Sequence, residues 1–210
     1  PVVQAALNND LPMVQLLLQH GADIDAWHVE GCEMGALAVS ARYPDLTLFR
    51  FLLEQHANPG AVPWQRRAGD ADRDEVEDGS GSGMPYTPML EAAGHGNIEA
   101  VRILLGLDVD LATQDQDFCD AFRRAAKSGH LDICMLLVAN GAEVDAEPWS
   151  EGREVVTSLT CAAAGGNLAI LQMVMDARRQ AQEKLAEPKE LLAAITCGVN
   201  GGQVNSVLTL

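Results

Sequence analysis

Apolar residues fall into short columns that return along the chain. They read Leu11/Val14/Leu17/Leu18, Leu46/Phe49/Leu52/Leu53, Ile98/Val101/Leu104/Leu105, Leu131/Cys134/Leu137/Val138, Leu168/Leu171/Val174/Met175 and Val204/Val207/Leu210. The spacing i, i+3, i+6, i+7 lines one face of a helix, so each column predicts a short helix with one buried stripe. Ahead of each column lies a pair of small residues: Ala5-Ala6, Ser40-Ala41, Ala92-Ala93, Ala125-Ala126 and Ala162-Ala163, with Gly198-Val199 in the last copy. These mark a first helix whose small side chains let stacked neighbours approach near the low end of the usual interaxial distance of about 8–10 Å.

The residues between the two helices keep a period. Asn9, Pro44, Gly96, Gly129, Gly166 and Gly202 occupy equivalent turns, at successive spacings of 35, 52, 33, 37 and 36 residues. The longer spacing holds an insertion of roughly 17 residues. A unit that cannot bury its own apolar face must stack on its neighbours, so the pattern predicts a repeat protein. The stretch Thr87-Pro88-Met89, the pair Gly129-His130, and the turns Gly21-Ala22-Asp23-Ile24-Asp25-Ala26 and Gly141-Ala142-Glu143-Val144-Asp145-Ala146 resemble the ankyrin-repeat family. That family's motif reads Thr-Pro-Leu-His, a later Gly-His, and Gly-Ala-Asp-Val-Asn before a β-turn. A tetratricopeptide unit has a similar period, but its Trp, Leu-Gly and Tyr signature is missing.

The resemblance implies an all-α ankyrin-repeat solenoid of stacked helix-turn-helix units with projecting loops. It covers nearly all of residues 1–210 as one domain of about six units. Their boundaries are 1–27 (partial), 28–60, 84–115, 116–149, 150–187 and 188–210 (partial), with the insertion at 61–83. Three departures stand out. Leu107-Asp108-Val109-Asp110 lacks the turn Gly; His56 replaces it in the second unit, where a left-handed backbone is costly for a side chain. After Met175 no turn motif follows, and residues 176–187 read as a continued polar helix ending at Pro188. Both ends fall inside a unit and carry no polar capping repeat, so the sequence is expected to be part of a longer protein.

Charge narrows the partners. There are 30 acidic and 14 basic side chains, a formal net charge of −16, which opposes phosphate-backbone binding and excludes a nucleic-acid partner. Aromatic residues are 4% of the chain, so the core must be aliphatic. No apolar run is long enough to span a membrane. The five Cys form no close pair, which fits a reducing, intracellular compartment, expected to be the cytoplasm with the nucleus left open.

In an array of this kind the helices are occupied with stacking, and function falls to the loops and the exposed first-helix face. The resemblance implies that this concave surface binds a partner protein. All three Trp residues lie between repeats: Trp27, Trp64 and Trp149. Trp is enriched at binding hot spots; covering its own loop is the other role open to each ring. With His28 they are the candidate contacts, joined by the insertion's Asp70, Asp72, Asp74, Glu75, Glu77 and Asp78. That acidic run, followed by Gly79-Ser80-Gly81-Ser82-Gly83, is either a tether for a basic partner, open to phosphorylation at Ser80 or Ser82, or a solvated insertion. As a calcium loop it fails, with Glu75 at the sixth position and Gly81 at the twelfth. His28-Val29-Glu30 lacks the Pro-Cys-x-x-Cys of a zinc deaminase. His130 is expected to make a structural hydrogen bond at its turn. Cys134 should be buried and inert, and Cys32 the most reactive thiol.

No phosphate-binding loop, dinucleotide fingerprint, HExxH or GxSxG occurs. The sequence therefore predicts no catalysis, no cofactor and no metal site. It predicts a protein–protein interaction module, an adaptor or scaffold whose acidic surface favours a basic partner. The alternative is a recruitment segment of a larger enzyme or channel.

Overall fold

A computed structural model describes residues 1–26, 34–60, 86–107, 114–144, 149–151, 154–180 and 188–203. The chain forms two compact units, residues 1–91 and 92–210, divided inside one helix. The first unit holds α1 (Val2–Leu7), α2 (Leu11–Gln19), α3 (Ala36–Ser40), α4 (Thr47–Glu54) and the start of α5 (Pro88–Gly94). Here α1 packs on α2 and on α3, and α3 packs on α4.

The second unit holds the rest of α5, then α6 (Ile98–Leu105), α7 (Gln114–Ser128) and α8 (Leu131–Ala139). The two-residue-apart strands β1 (Trp149–Glu151) and β2 (Glu154–Val156) follow, then α9 (Ser158–Gly165), α10 (Leu168–Gln180) and α11 (Pro188–Asn200). The first helices α7, α9 and α11 form one layer, with α9 in the middle. The second helices α6, α8 and α10 form the other layer, α8 lying against α7 and α10 against α9. The fold is the all-α repeat the periodicity predicts.

The core is mostly aliphatic and small, although Phe49 and Phe122, both fully buried, put aromatic rings in it against the all-aliphatic expectation. Ala5-Ala6, Ser40-Ala41, Ala92-Ala93, Ala125-Ala126 and Ala162-Ala163 are all buried. In the second helices Val14, Phe49, Val101, Cys134 and Leu171 are buried, as are Leu52, Leu104, Leu137 and Val174 one turn on. The structure adds a position outside the sequence columns: Leu48, Ala100, Ile133 and Ile170 are equally buried. Each helix pair thus buries a handful of large side chains at about 1.5–3 kcal/mol apiece. Backbone entropy opposes folding by about 1–2 kcal/mol for every residue of the repeat. A pair alone cannot fold, and stability comes from stacking.

The turns follow the predicted markers with one exception. Asn9, Gly96, Gly129, Gly166 and Gly202 all take the left-handed conformation between first and second helix. At the far end of the second helix Gly21, His56 and Gly141 do the same, so His56 does hold the strained geometry its position demands, at φ 62°. Pro44 cannot, because its ring fixes φ near −65°. There α3 stops at Ser40, and the Tyr43 hydroxyl donates to the Leu7 carbonyl at 2.6 Å, tying α3's exit to α1's. Two of the second helices begin at side-chain caps: Asp10 accepts from the Met13 amide and Asn97 from the Ala100 amide. Asp45 accepts from the Thr47 hydroxyl and amide, which hold its carboxyl below the ordinary range.

One feature differs from the sequence reading, and one agrees as far as it is described. The loop carrying Trp149 contains an antiparallel hairpin, Trp149 opposite Val156 and Glu151 opposite Glu154. The helix after Met175 continues through Gln180; its expected extension over 181–187 lies outside the described residues.

Candidate binding surface

The turns between first and second helix are linked to one another through one recurring position. After the turns at Gly129, Gly166 and Gly202 the next residue reaches back to the turn before it. The His130 ring lies over Gly96, where a Cβ would stand 2.7 Å from Cε1. The Asn167 amide donates to the Gly129 carbonyl at 3.1 Å. The Gln203 side chain covers Gly166, where a Cβ would stand 2.1 Å from Oε1. Gly96 and Gly166 are therefore required twice, by positive φ and by the side chain above. This corrects the expectation for His130. Its ring makes no capping hydrogen bond for α8; its role is to pack on the preceding turn.

The entry of the first helices carries a second recurring pair, three residues apart. In α9, Thr157 and Thr160 form a capping box, each side chain accepting from the other's amide. At the entry of α5, Thr87 accepts from the Leu90 amide at 3.2 Å. In α7 the same two positions are Asp120 and Arg123, a buried ion pair at 3.0 Å. The sequence columns did not include these polar residues, although Asp120 and Arg123 sit where the family motif has Thr and His. In the first unit Arg42 pairs with the fully buried Glu91, and its Nη2 lies 2.9 Å from the Met34 sulfur. A carboxylate in an otherwise apolar stretch, Met89 to Ala93, was the legible sign of it.

Three buried thiols are held neutral. Burial pushes Cys134 up to about 12 and Cys161 up to about 11, and it raises Cys119 as well. The expected inertness of Cys134 follows directly. Cys32 lies outside the described residues. Among the described residues no group of three or more His, Cys, Asp or Glu side chains is placed to hold a metal ion, and no helix is long and apolar enough to cross a membrane.

Of the expected contact residues, Trp27, His28, Trp64, Asp70, Asp72, Asp74, Glu75, Glu77 and Asp78 lie outside the described residues. Trp149 is described by its backbone, as the first residue of β1. What the structure does describe is the first-helix surface, where Gln4, Lys127, Ser128 and Thr196 are exposed.

Comparison with known proteins agrees with this architecture. The family profile for ankyrin repeats (3 copies) matches residues 70–148 and 89–184, and the single ankyrin-repeat profile matches residues 1–28. The ankyrin repeat protein nuc-2 of Neurospora crassa is 30% identical over 138 residues, which is 65% of this chain and 11% of that protein. An ankyrin repeat protein of Rickettsia felis is 41% identical over 68 residues, covering 30% of this chain and 35% of its own. A protein with ankyrin repeats and a KH domain from Caenorhabditis briggsae is 29% identical over 90 residues, 43% of this chain and 3% of that protein. The chain thus spans a minor share of each relative's length.

Proposed function

The chain belongs to the ankyrin-repeat family, and from that premise we propose that it is a non-catalytic adaptor or scaffold that binds a partner protein. Ankyrin repeats are in general protein–protein interaction modules. The contacts are assigned to the inter-repeat loops and the first-helix face: Trp27, His28, Trp64, Trp149 and the acidic residues Asp70, Asp72, Asp74, Glu75, Glu77 and Asp78. The observation that carries this reading is the division of labour along each repeat. Apolar helix faces are consumed by stacking and the turns by their ladder, which leaves loops and exposed first-helix positions free for recognition. The net charge of −16 favours a partner with a basic surface in an intracellular compartment.

The test is partner capture by photo-crosslinking with the wild-type chain and with Trp27→Ala/Trp64→Ala/Trp149→Ala. The variant should lose a partner that the wild type captures while its far-UV circular dichroism is unchanged. Equal capture by both removes the Trp assignment. Affinity for the captured partner should fall as salt rises; a salt-independent affinity removes the basic-partner assignment.

A second reading has its own support in the relatives, of which this chain covers 3%, 11% and 35%. In that reading the segment recruits a substrate or regulator to a longer protein. Sequencing the full transcript separates the two, a catalytic or channel domain beside the repeats favouring recruitment.

A further inference from the structure

One residue in seven of this chain is acidic, yet the acids avoid one part of the second unit. Residues 94–97, 124–130 and 161–167, where α5, α7 and α9 run out into their turns, hold no Asp or Glu and carry His95, Arg124, Lys127 and His130. Among the described residues, the acids close to them in sequence are placed elsewhere. Glu99 and Asp132 stand in the first turns of second helices, in the other layer, and Glu99 lies 3.8 Å from Arg102. Asp120 is buried against Arg123. Asp115 and Asp117 begin α7, about 15 Å along its axis from Lys127.

Local packing gathers the cations. The Arg124 stem lies on Gly94, where a Cβ would stand 2.8 Å from Cγ and 3.0 Å from Nε. The guanidinium is thus held at the end of α5, where His95 is exposed. One turn on, Lys127 is exposed in the last turn of α7. Its charge is felt across the α7–α9 contact: burial raises the Cys161 thiol, and Lys127 works against that rise. The floor beside these side chains is backbone. A Cβ on Gly165 would collide with the Ala126 carbonyl and stand 3.0 Å from the Lys127 carbonyl, so α7 and α9 abut there with no side chain between them. A single Lys in a last turn is explained by the carbonyl end of its own helix. An Arg laid across a neighbouring helix beside it is not.

We propose that Arg124 and Lys127, with His95 at their side, seat an acidic segment of the partner protein, extended over the Gly94–Gly165 floor with its carboxylates facing the two cations. The proposal rests on reading the first helices as a recognition surface and gives that surface its chemistry. The partner then presents acidic peptide here and a basic surface to the acidic loops. The net charge of −16 repels such a segment at long range. At physiological salt that repulsion is screened beyond about 8 Å, and the charges that touch the peptide decide. Two cations suit a carboxylate-bearing peptide, whereas the phosphate backbone of a nucleic acid calls for a far larger basic footprint.

Fluorescence anisotropy of a labelled oligoglutamate peptide at physiological salt tests this on the 210-residue chain. The wild type should bind the peptide. Lys127→Glu replaces an exposed side chain and should weaken binding about tenfold with helicity unchanged. Arg179→Glu changes the net charge equally, at an exposed position on α10, and should leave binding within about twofold. In a titration followed by amide chemical shifts, residues 94–97, 124–130 and 161–167 should move together. A wild-type chain that does not bind at about 1 mM peptide overturns the proposal. So does equal weakening by Lys127→Glu and Arg179→Glu, or a set of shifts that lies elsewhere. The Trp27→Ala/Trp64→Ala/Trp149→Ala chain should bind oligoglutamate as the wild type does, so failed partner capture and a failed acidic-peptide site are read apart. Loss of binding in that chain would move the site to the Trp loops and overturns the proposal as well.

Discussion

Two junctions in the second unit do the same job with opposite means. Each leaves a second helix and enters the next first helix. After α8, Gly141 turns left-handed at φ 97°, and the Ala142 and Gly141 amides donate to the Leu137 and Val138 carbonyls at 3.0 and 3.1 Å. That Schellman closure redirects the chain. The hairpin β1–β2 follows, and the Thr157–Thr160 box holds α9 to eight residues. After α6, Gly106 stays right-handed at φ −83°, its amide shared between the Arg102 and Ile103 carbonyls. The next helix, α7, begins at Gln114 and runs 15 residues, straight through Asp120. Asp120 stands where Thr157 stands in α9, and Asp is as good a cap as Thr. A capping residue therefore does not by itself start a helix. In α7 the helix starts upstream, at Gln114, and the would-be cap becomes an interior side chain. Buried there, it is balanced by Arg123.

The sharpest way to break this comparison is at Asp120. Removing one partner of a buried ion pair is expected to cost about 3 kcal/mol, so Asp120→Ala should lower the urea midpoint of the chain markedly. The double change Asp120→Thr/Arg123→Thr writes the α9 pair into α7 and should recover most of the loss. If the single change is silent, the ion pair is not what replaces the cap. Next in size is Gly141→Ala. The site has open space around it, so the loss, about 1–2 kcal/mol, comes from the left-handed backbone alone. A smaller effect belongs to Thr157→Ala, about 1 kcal/mol for a lost cap. Its amide exchange should show fraying confined to the first turn of α9. Uniform exchange along α9 would mean the box does not set where the helix begins.

Much of this architecture is readable from side chains that act locally. The columns from Leu11 to Met175 marked the second helices, and the small pairs marked the first. Gly96, Gly129, Gly166 and Gly202 marked the turns because left-handed backbone selects Gly whatever surrounds it. What stayed hidden depends on partners distant in sequence. His130 has the same chemistry whether it caps α8 or covers Gly96, and the choice is made by a turn 34 residues earlier. Arg42 and Glu91 are separated by the whole insertion. The hairpin at Trp149 carries no sequence signal of its own, since strands of three residues leave too short an alternation to recognise. The candidate contacts illustrate the same limit. Their residue types suggest recognition, yet their arrangement depends on loops that no local pattern fixes.

The smallest effect gives the most direct check on the junction comparison, because it carries the opposite sign. Gly106 is a glycine by identity but not by use. Its φ of −83° is open to any L-residue, and an added Cβ would meet the Arg102 and Ile103 carbonyls at 3.5 Å, ordinary van der Waals distance. Gly106→Ala should therefore stabilise the chain by about 0.5 kcal/mol, chiefly by restricting the unfolded ensemble. The same substitution at Gly141 destabilises. Measured side by side by urea unfolding, the two variants should move the midpoint in opposite directions. If Gly106→Ala destabilises as Gly141→Ala does, then Gly106 passes through a left-handed turn in solution. The two junctions would then share one exit, and the length of α7 would need another cause.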